Sequence, residues 1–344
     1  MRPFILDRAD NAATASSLGR QSGQGQTDAA TQFLAGGTTQ YDLMKLDVLR
    51  PQRLVDITAL RSDHAGIAAG SDGLRLGAFA KMAAVAAHKV VLTDYPAVAE
   101  GLQLAASAQL RNMATLGGNV LQRTRCTYYR DTSWDACNKR VPGSGCAALS
   151  GVNRNHAVLG VDGSCIAQYP GDWAVVLVAF DAAVELAGPD GSRTIPFSAL
   201  HRPVDGQPHL ETTLRPGEII TAFRVPAGPW TRRSTYVKVR DRASYEFAIA
   251  SVAVALDMDG DLVRQARIGL GGMAYRPWRA TAAEALLAGK RLDTAAAEAA
   301  AHIALEGAVT HGQNDYKPEL GRRTIVRALM TAQAMTPATG TRGI

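Results

Sequence analysis

Short apolar segments, separated by glycine and polar residues, run through the first sixty residues of the chain. Their spacing switches between the period of a strand and the period of a helix. The pattern predicts strands at 3–6, 31–35 and 53–57, helices at 12–18 and 41–46, and a polar loop at 21–28. Because strands and helices alternate, we expect residues 1–60 to form a small βαβ unit.

Residues 61–228 combine predicted hairpins with predicted helices. Turn signals at 71–73 and 188–191 each separate two strand-like segments, which is typical of a hairpin. A further strand is expected at 219–225, and helices are expected at 80–88, 95–107 and 172–180. Asp172 is expected to cap the last helix. Residues 121–168 follow neither period, which predicts a long loop inserted in this second unit.

A third unit is predicted from residue 229 to residue 335. Its first part is strand-like, and its second part is helical and rich in alanine. Strands are expected at 234–239, 247–257 and 262–270, followed by helices at 281–287, 293–308 and 320–334. The tail at 336–344 has no apolar period and is expected to be disordered.

Composition and charge exclude several classes of protein. The 344 residues are 47% apolar, which is enough for a substantial core, and the net charge is +6. The longest apolar run, at 173–180, is far shorter than the roughly 20 residues of a membrane-spanning helix. The basic residues form no stripe interleaved with aromatic residues, so we do not expect a nucleic-acid partner. No signal sequence is recognised at the N-terminus.

A glycine pair follows the apolar segment at 31–35. Glycine has no Cβ and accepts positive φ, so consecutive N–H groups can converge on an anion. Gly36 and Gly37 are followed by the hydroxyls of Thr38 and Thr39, and by a predicted helix that would point its N-terminus at the same place. The pattern is neither a Rossmann fingerprint nor a P-loop, and alone it is typical of an ordinary turn.

A second glycine pair changes this interpretation. Residues 111–119 read RNMATLGGN, with Thr115 and Asn119 on either side of the pair. Two such loops on separate units predict a long ligand with a central diphosphate, held between the units. A third pair, Gly271-Gly272, has no polar neighbours and is expected to be structural.

Together these stretches resemble the FAD-binding subunits of the molybdenum hydroxylases, the xanthine dehydrogenase family. Residues 35–38 read AGGT and are followed by LMK at 43–45, while the second loop at 111–119 is complete. The resemblance covers nearly the whole chain. It implies an α+β fold, in which a two-subdomain FAD-binding module of the vanillyl-alcohol oxidase (PCMH) type precedes a small C-terminal domain of β-sheet and helices. The corresponding ranges are 1–60, 61–228 and 229–335, with the cysteine loop inserted at about 121–168.

The resemblance also implies which residues bind FAD. The pyrophosphate would lie against the first glycine loop, and the ribityl region would lie against the second loop and Asp172. The isoalloxazine would face the segment at 236–245. The implied FAD-binding residues are Ala35, Gly36, Gly37, Thr38, Thr39, Thr115, Gly117, Gly118, Asn119, Asp172, Lys238 and Tyr245.

All the cysteines of the chain lie in the inserted loop. They are Cys126, Cys137, Cys146 and Cys165. An even number permits disulfides in an oxidising compartment. Zinc sites usually pair their ligands as C-x2–4-C, which this loop does not contain. Unrelated free thiols are disfavoured by the clustering.

A [4Fe–4S] cluster held by four thiolates is the remaining alternative for this loop. Glycines in the loop permit the backbone to wrap and to donate N–H groups to sulfur. Five basic residues close to the ligands would offset the negative charge of such a cluster: Arg123, Arg125, Arg130, Lys139 and Arg140.

A second resemblance favours the cluster. The segments RTRCTYY at 123–129 and CNKRVPGSGC at 137–146 are similar to the cluster loop in the flavin subunit of bacterial periplasmic aldehyde oxidoreductases. A comparable insertion occurs in the flavin subunit of 4-hydroxybenzoyl-CoA reductases. This resemblance implies that the four cysteines hold one [4Fe–4S] cluster.

The implied function is that of an electron-transfer subunit in a molybdenum-containing aldehyde oxidoreductase. Its partners would be a large subunit with the molybdenum cofactor and a small subunit with [2Fe–2S] centres, and electrons would leave FAD for an external acceptor. Substrate oxidation belongs to the large partner, so we expect no catalytic residue here. His156 and His201 lie beside loops and are expected at the surface.

Three alternatives remain open. The chain could be the flavin subunit of an enzyme like 4-hydroxybenzoyl-CoA reductase, or a self-contained FAD oxidase with a zinc or disulfide loop. It could also be a zinc-stabilised scaffold without flavin, although the complete second glycine loop argues against this. We expect the protein in the periplasm, exported together with a partner that carries the signal, and otherwise in the cytoplasm.

Overall fold

The computed structural model describes residues 1–20 and 29–336. The polar loop predicted at 21–28 and nearly all of the tail predicted at 336–344 lie outside the described residues. Three sheets organise the described part of the chain, and helices pack around them. None of the helices within these two ranges has the length and apolar character needed to cross a membrane.

The N-terminal sheet consists of three parallel strands. The elements of this unit are β1 (Ile5–Arg8), α1 (Ala12–Gly19), β2 (Thr31–Leu34), α2 (Gln40–Lys45) and β3 (Arg53–Asp56). The strand order is β1-β3-β2, and both pairings are parallel, as the predicted βαβ unit requires. Because β2 ends at Leu34, the first glycine pair lies just beyond the carboxyl edge of the sheet, where open parallel sheets bind ligands.

The second sheet has five antiparallel strands in the order β4-β5-β8-β6-β7. Its strands are β4 (Ile67–Gly70), β5 (Gly73–Gly77), β6 (Ala183–Gly188), β7 (Gly191–Pro196) and β8 (Ile219–Pro226). Both predicted hairpins are present, since β4 pairs with β5 and β6 pairs with β7.

Eight helices belong to this second unit in the described part of the chain. They are α3 (Arg61–His64), α4 (Met82–Ala86), α5 (Lys89–Asp94), α6 (Pro96–Gln103), α7 (Ala108–Met113), α8 (Leu116–Val120), α9 (Thr127–Arg130) and α10 (Trp173–Ala179). The spacing at 95–107 corresponds to α6, but the sequence did not predict α8. That helix contains the second glycine pair, and glycine is a poor helix former.

The third sheet is antiparallel, with the order β12-β11-β10-β9. Its strands are β9 (Ser234–Val239), β10 (Ala250–Asp259), β11 (Leu262–Gly271) and β12 (Trp278–Arg279), and the helices that follow are α11 (Thr281–Leu287), α12 (Thr294–Ala304) and α13 (Lys317–Ala334). Alanines of α12 and aliphatic residues of β10 and β11 form the core of this unit. The three sheets with their helices confirm the predicted α+β fold class.

Helix α10 joins the second unit to the third. Every residue of this helix is buried. Gly269 and Gly271 of β11 permit the contact, because a Cβ at Gly269 would lie 2.3 Å from the Val175 carbonyl oxygen and one at Gly271 would lie 2.4 Å from the Val175 side chain. The third glycine pair therefore has a packing role, as expected.

The inserted loop is packed between all three units. It contains only α9 and a 3-10 turn at Ala147–Leu149. Asp42 of α2 accepts hydrogen bonds from Arg125 and Arg130, which attach the loop to the N-terminal unit. On the other side, the Lys317 ammonium of α13 donates to the His156 carbonyl at 2.9 Å. The inserted loop is therefore held against the N-terminal and C-terminal units by buried or partly buried polar contacts.

Candidate functional site

A cavity of about 620 Å³ lies between the first and second sheets. This volume falls within the range of about 300–1,000 Å³ that is usual for small-molecule and cofactor sites. Both glycine loops line the cavity, so the structure brings together two segments that are about eighty residues apart in sequence. The other walls include residues 31–33, 120–124 and 210–220, together with Lys139, Ala167, His201, Tyr275 and Arg276.

The first glycine loop provides an anion cradle. Gly37 has φ of +73°, in the left-handed region that favours glycine. Within residues 1–20 and 29–336, the backbone N–H groups of Gly36, Gly37, Thr38 and Thr39 have no backbone acceptor. Buried or cavity-lining amides without acceptors are costly unless a ligand pairs with them. This loop therefore fits a diphosphate.

The second glycine loop is built differently. The Thr115 hydroxyl accepts a hydrogen bond from the Gly118 N–H at 3.1 Å and caps α8. The N–H groups of Leu116 and Gly117 bond to the carbonyls of Ala80 and Ala78. These bonds attach the loop to the segment that follows β5. Because its amides already have acceptors, the loop offers the cavity a wall of glycine backbone that a ligand can approach closely.

The two glycine loops also contact each other. A Cβ at Gly36 would lie 2.4 Å from the carbonyl oxygen of Met113, which belongs to the second loop. A distance this short would force the two backbones apart. Gly36 therefore sets the separation between the two walls.

The structure places eight of the predicted FAD-binding residues on the cavity wall. They are Ala35, Gly36, Gly37, Thr38, Thr39, Thr115, Gly117 and Gly118. The other four, Asn119, Asp172, Lys238 and Tyr245, do not line this cavity. Tyr245 is 57% exposed and has φ of +51°, on the loop that follows β9. Asn119 lies beside the wall, with a buried amide oxygen that lacks a partner in the described part of the chain.

Asp172 and Lys238 form a buried ion pair. The Asp172 carboxylate accepts from the Lys238 ammonium at 2.9 Å and from the Tyr236 hydroxyl at 2.7 Å. Burial raises the pKa of Asp172, although Lys238 and Tyr236 oppose this effect. The expected capping bond is absent, because the carboxylate points to β9 instead of the first turn of α10. Asp172 is the N-cap residue of α10, as predicted, but its side chain does not make the predicted capping hydrogen bond.

The segment at 210–220, all of which lines the cavity, was not predicted from the sequence. Tyr275 and Arg276 were not predicted either, and His201 was expected at the surface. His201 is buried with 7% exposure, and it lines the cavity. Its only sequence signal was its position in a loop, and the segment at 210–220 reads as an ordinary proline–glycine turn. Burial lowers the pKa of His201 to about 4, so the ring is neutral.

The four cysteines line one small pocket beside this cavity. None of them is joined in a disulfide. Cys137 and Cys146 face each other across an antiparallel bridge, and the turn between them is made by Gly143 and Gly145, with φ of +86° and +97°. The wrapping that the glycines were expected to permit is therefore present.

Backbone N–H groups lie near two of the cysteine thiols. Those of Tyr128 and Tyr129 act to lower the pKa of Cys126, and those of Ala148, Leu149 and Ile166 act to lower the pKa of Cys146. A bond from the Cys165 thiol is the main cause that lowers the pKa of Cys146 to about 6. Burial instead raises the pKa of Cys126 to about 12. Hydrogen bonds to the sulfurs are among the factors that set the reduction potential of an iron–sulfur cluster.

His156 lies within the cysteine pocket region, contrary to the expectation of a surface position. It is 7% exposed, and its Nε2 lies 3.2 Å from the Cys126 sulfur. Burial, reinforced by the nearby Lys317 ammonium, lowers the pKa of His156 to about 4. The three residues before it, 153–155, are polar, and this local sequence gave no indication of burial.

The donor set of the pocket fits an iron–sulfur cluster in its chemistry. The pocket is lined by four thiols, and backbone N–H groups and several cations lie close to it. In the described residues, no three His, Cys, Asp or Glu side chains are gathered closely enough to hold a single metal ion. The void between the thiols is about 10 Å³, the size of one water-sized sphere, so a cluster requires the thiol side chains to turn outward.

Comparisons with known proteins identify the family. Residues 7–228 match the FAD binding domain in molybdopterin dehydrogenase, and residues 235–332 match the CO dehydrogenase flavoprotein C-terminal domain. The chain is 42% identical over 335 residues to the aldehyde oxidoreductase FAD-binding subunit PaoB of Escherichia coli (strain K12). This match covers 97% of this chain and 99% of that protein.

More distant relatives agree with this assignment. The carbon monoxide dehydrogenase medium chain of Afipia carboxidovorans is 27% identical over 305 residues, covering 89% of this chain and 88% of that protein. A solved structure of carbon monoxide dehydrogenase from Hydrogenophaga pseudoflava matches with a TM-score of 0.72 at 26% identity, over 97% of this chain and 99% of that chain. The chain therefore belongs to the FAD-binding subunits of the molybdenum hydroxylases, the oxidoreductase family that includes aldehyde oxidoreductases and carbon monoxide dehydrogenases.

Proposed function

We propose that this chain is the electron-transfer subunit of a molybdenum-containing aldehyde oxidoreductase, with FAD and one [4Fe–4S] cluster. The observation that carries this proposal is the 42% identity to an aldehyde oxidoreductase FAD-binding subunit over nearly the full length of both chains. That relative is named for aldehydes, and relatives at 27% identity or less are named for carbon monoxide, glyceraldehyde and 6-hydroxypseudooxynicotine.

The proposed reaction divides the chemistry between subunits. At molybdenum in a large partner, an aldehyde and water give a carboxylic acid, two electrons and two protons. The electrons pass through [2Fe–2S] centres of a small partner to this chain and then to an external acceptor. FAD, when bound here, supplies the exchange between two-electron and one-electron transfer. The chain itself binds and orients the cofactor.

The residues of the cavity support this role. The unpaired amides of the first loop would hold the diphosphate, as oriented N–H groups hold anions elsewhere. Thr115 and Gly118 would form the smooth wall against which the middle of the cofactor lies. The segment at 210–220 would form a further part of the wall around the cofactor.

The cluster part of the proposal rests on the cysteine pocket. All four cysteines line it, their thiols are not paired in disulfides, and nearby backbone N–H groups act to lower the pKa of two of them. Cys126, Cys137, Cys146 and Cys165 would be the ligands.

Metal and flavin analysis tests the proposal. The chain is expressed with its partner subunits, purified without oxygen and separated, and iron, acid-labile sulfide, zinc and FAD are measured. We expect about four irons and four sulfides per chain, together with one FAD. Flavin with zinc, or flavin without any metal, would contradict the cluster while keeping the flavin assignment.

A matched pair of variants makes the test specific. Cys146→Ser is expected to remove the iron, because it removes one of four ligands. Ser150→Ala alters a hydroxyl in the same loop, outside the pocket, and should leave the iron content unchanged. Aldehyde oxidation by the isolated chain would favour a self-contained oxidase instead.

We also propose that the protein reaches the periplasm together with a partner that carries the export signal. The support is the resemblance of its cysteine loop to that of periplasmic aldehyde oxidoreductases. Cell fractionation with the partner's signal intact and deleted tests this idea. The chain should move from the periplasm to the cytoplasm when the partner's signal is removed, and a chain that stays in the cytoplasm in both cases would contradict it.

A further inference from the structure

A buried lysine stands between the cysteine pocket and the large cavity. Lys139 is 3% exposed, and it lies two residues after Cys137. Its ammonium donates to the Glu211 carboxylate at 2.7 Å, the Tyr275 hydroxyl at 2.9 Å and the Pro208 carbonyl at 3.0 Å. All three protons of the ammonium therefore have acceptors, and the side chain is held in one position.

Glu211 connects this lysine to an arginine. Its carboxylate also pairs with the Arg123 guanidinium. Burial alone would raise the pKa of Glu211, but Arg123 and Lys139 hold it below its usual value. The group therefore contains two cations and one anion. This triad, Arg123–Glu211–Lys139, places one net positive charge inside the protein.

The triad faces both sites. Arg123, Glu211 and Lys139 all line the large cavity, and Lys139 also lines the cysteine pocket. Ala167 is on the wall of both as well. Cys165 and Tyr275 belong to one packed cluster beside Lys139, and the charges of Cys165 and Lys139 influence each other. A single layer of side chains thus separates the two spaces.

We infer that the Arg123–Glu211–Lys139 triad is a shared electrostatic wall, whose net positive charge raises the reduction potentials of both FAD and the cluster. Lys139 is the member of the triad that lines both the large cavity and the cysteine pocket. This inference rests on the proposed function, because it requires FAD in the cavity and a cluster in the cysteine pocket.

The physical reason is that reduction adds negative charge on both sides of the same cation. A [4Fe–4S] cluster takes up one electron and no proton, so its charge becomes more negative by one. FAD takes up two electrons, and it also takes up protons, which cancel part of the added charge. In a poorly screened interior, a nearby cation stabilises the more negative state. The effect on the cluster should therefore exceed the effect on FAD.

Two substitutions with opposite signs test the inference. Lys139→Met removes one positive charge at similar volume, and Glu211→Gln removes the negative charge. Both potentials are measured in the assembled complex by dithionite titration, with flavin absorbance for FAD and low-temperature electron paramagnetic resonance for the cluster. Lys139→Met should lower both potentials, and Glu211→Gln should raise both.

The expected shift is at least tenfold in the equilibrium constant for reduction of the cluster, which equals about 59 mV for one electron. Lys139→Arg keeps the charge and should retain the original potentials. Lys290→Met removes the same charge at an exposed position of the third unit and serves as the matched control. Its potentials should equal those of the unsubstituted protein.

The outcomes separate the inference from the proposed function. If the unsubstituted chain contains no iron, the cluster part of the proposed function fails, and that result appears before any variant is made. If the cluster and FAD are present but neither charge-changing variant shifts the potentials, the inference is overturned. A shift at only one cofactor also overturns the shared wall. If Lys139→Met does not fold, the Glu211→Gln result decides.

Discussion

The Asp172 carboxylate and the Lys238 ammonium lie 2.9 Å apart, with side-chain exposures of 5% and 0%. Asp172 precedes α10 of the second unit, and Lys238 belongs to β9 of the third. The pair therefore connects two units through the interior. The two residues bind each other in the structure, and their contact with FAD, which the resemblance implied, stays a prediction.

Breaking this pair should strongly destabilise the protein. Asp172→Asn leaves the buried ammonium with only the Leu104 carbonyl and an amide as acceptors, and removal of one partner of a buried pair costs about 3–5 kcal/mol. The double variant Asp172→Asn/Lys238→Met should recover part of this loss, because it leaves no unpaired charge. Urea unfolding followed by tryptophan fluorescence measures both values.

The same variants test the two residues as cofactor ligands. Arg264→Met breaks the exposed pair with Asp259 and should change stability little, which provides the control. If Asp172→Asn leaves stability unchanged but removes FAD, the carboxylate acts on the cofactor and the structural role is wrong.

Substitution of Gly36 should abolish tight FAD binding. In Gly36→Ala the new Cβ would lie 2.4 Å from the Met113 carbonyl oxygen, so the two glycine loops must separate. We expect at least a tenfold loss of FAD affinity, or about 1.4 kcal/mol. Titration of the flavin-free protein with FAD, followed by fluorescence quenching, measures the change.

Two further glycines separate steric effects from backbone strain. Gly37 and Gly289 share a φ of +73°, but a Cβ at Gly37 would meet the Tyr41 ring at 2.7 Å, whereas Gly289 has open space around it. Gly289→Ala should cost roughly 1–2 kcal/mol of stability without any loss of FAD. Equal loss of FAD in the Gly37→Ala and Gly289→Ala variants would refute a specific role for the cradle.

In the protein without bound metal, Cys146 should be the most reactive thiol. The bond donated by the Cys165 thiol lowers the pKa of Cys146 to about 6, so its thiolate predominates at neutral pH. The pKa of Cys126 is raised to about 12 by burial. Iodoacetamide labelling between pH 5 and 9, read by peptide mass spectrometry, should show Cys146 modified first.

The Cys165→Ala variant provides the check on this explanation. It removes the donor to the Cys146 sulfur, so the onset of Cys146 labelling should move to higher pH. Labelling of Cys126 should not change. An unchanged Cys146 profile in this variant would contradict the assigned cause.

Attachment of the cysteine loop to the N-terminal unit should weaken in acid. Burial acts to raise the pKa of Asp42, but Arg130 and Arg125 hold it below its usual value. Because the folded-state pKa lies below the unfolded value of about 3.9, the carboxylate stabilises the fold above about pH 4. This contribution disappears as the pH falls through the lower folded-state value.

Comparison with Asp42→Asn isolates this contribution. We expect the unsubstituted protein to exceed the variant by about 1 kcal/mol between pH 5 and 7, on the scale of a partly exposed ion pair. The difference should shrink below pH 4. Thermal unfolding at each pH measures it, and a difference that does not depend on pH would rule out the charge as the cause.

Much of the fold could be predicted from the sequence, because local signals determine it. The strand at 234–239 and the helix at 281–287 have the bounds found in the structure, since apolar period and flanking turn residues both depend only on neighbours in sequence. The glycine pair at 36–37 was recognised because glycine alone combines positive φ with close approach. The clustering of four cysteines in one loop was likewise visible in the sequence.

The tertiary structure decided which of these residues meet. Lys139 and Glu211 are 72 residues apart, and nothing near either one indicates that burial pairs them. The segment at 210–220 became a cavity wall because β8 places it beside the first sheet. Local sequence fixes backbone shape, whereas partners for buried charges depend on desolvation by residues from distant segments. The sequence by itself therefore determined most of the strands, the two glycine loops and the family, and only packing determined the charge pairs between distant segments.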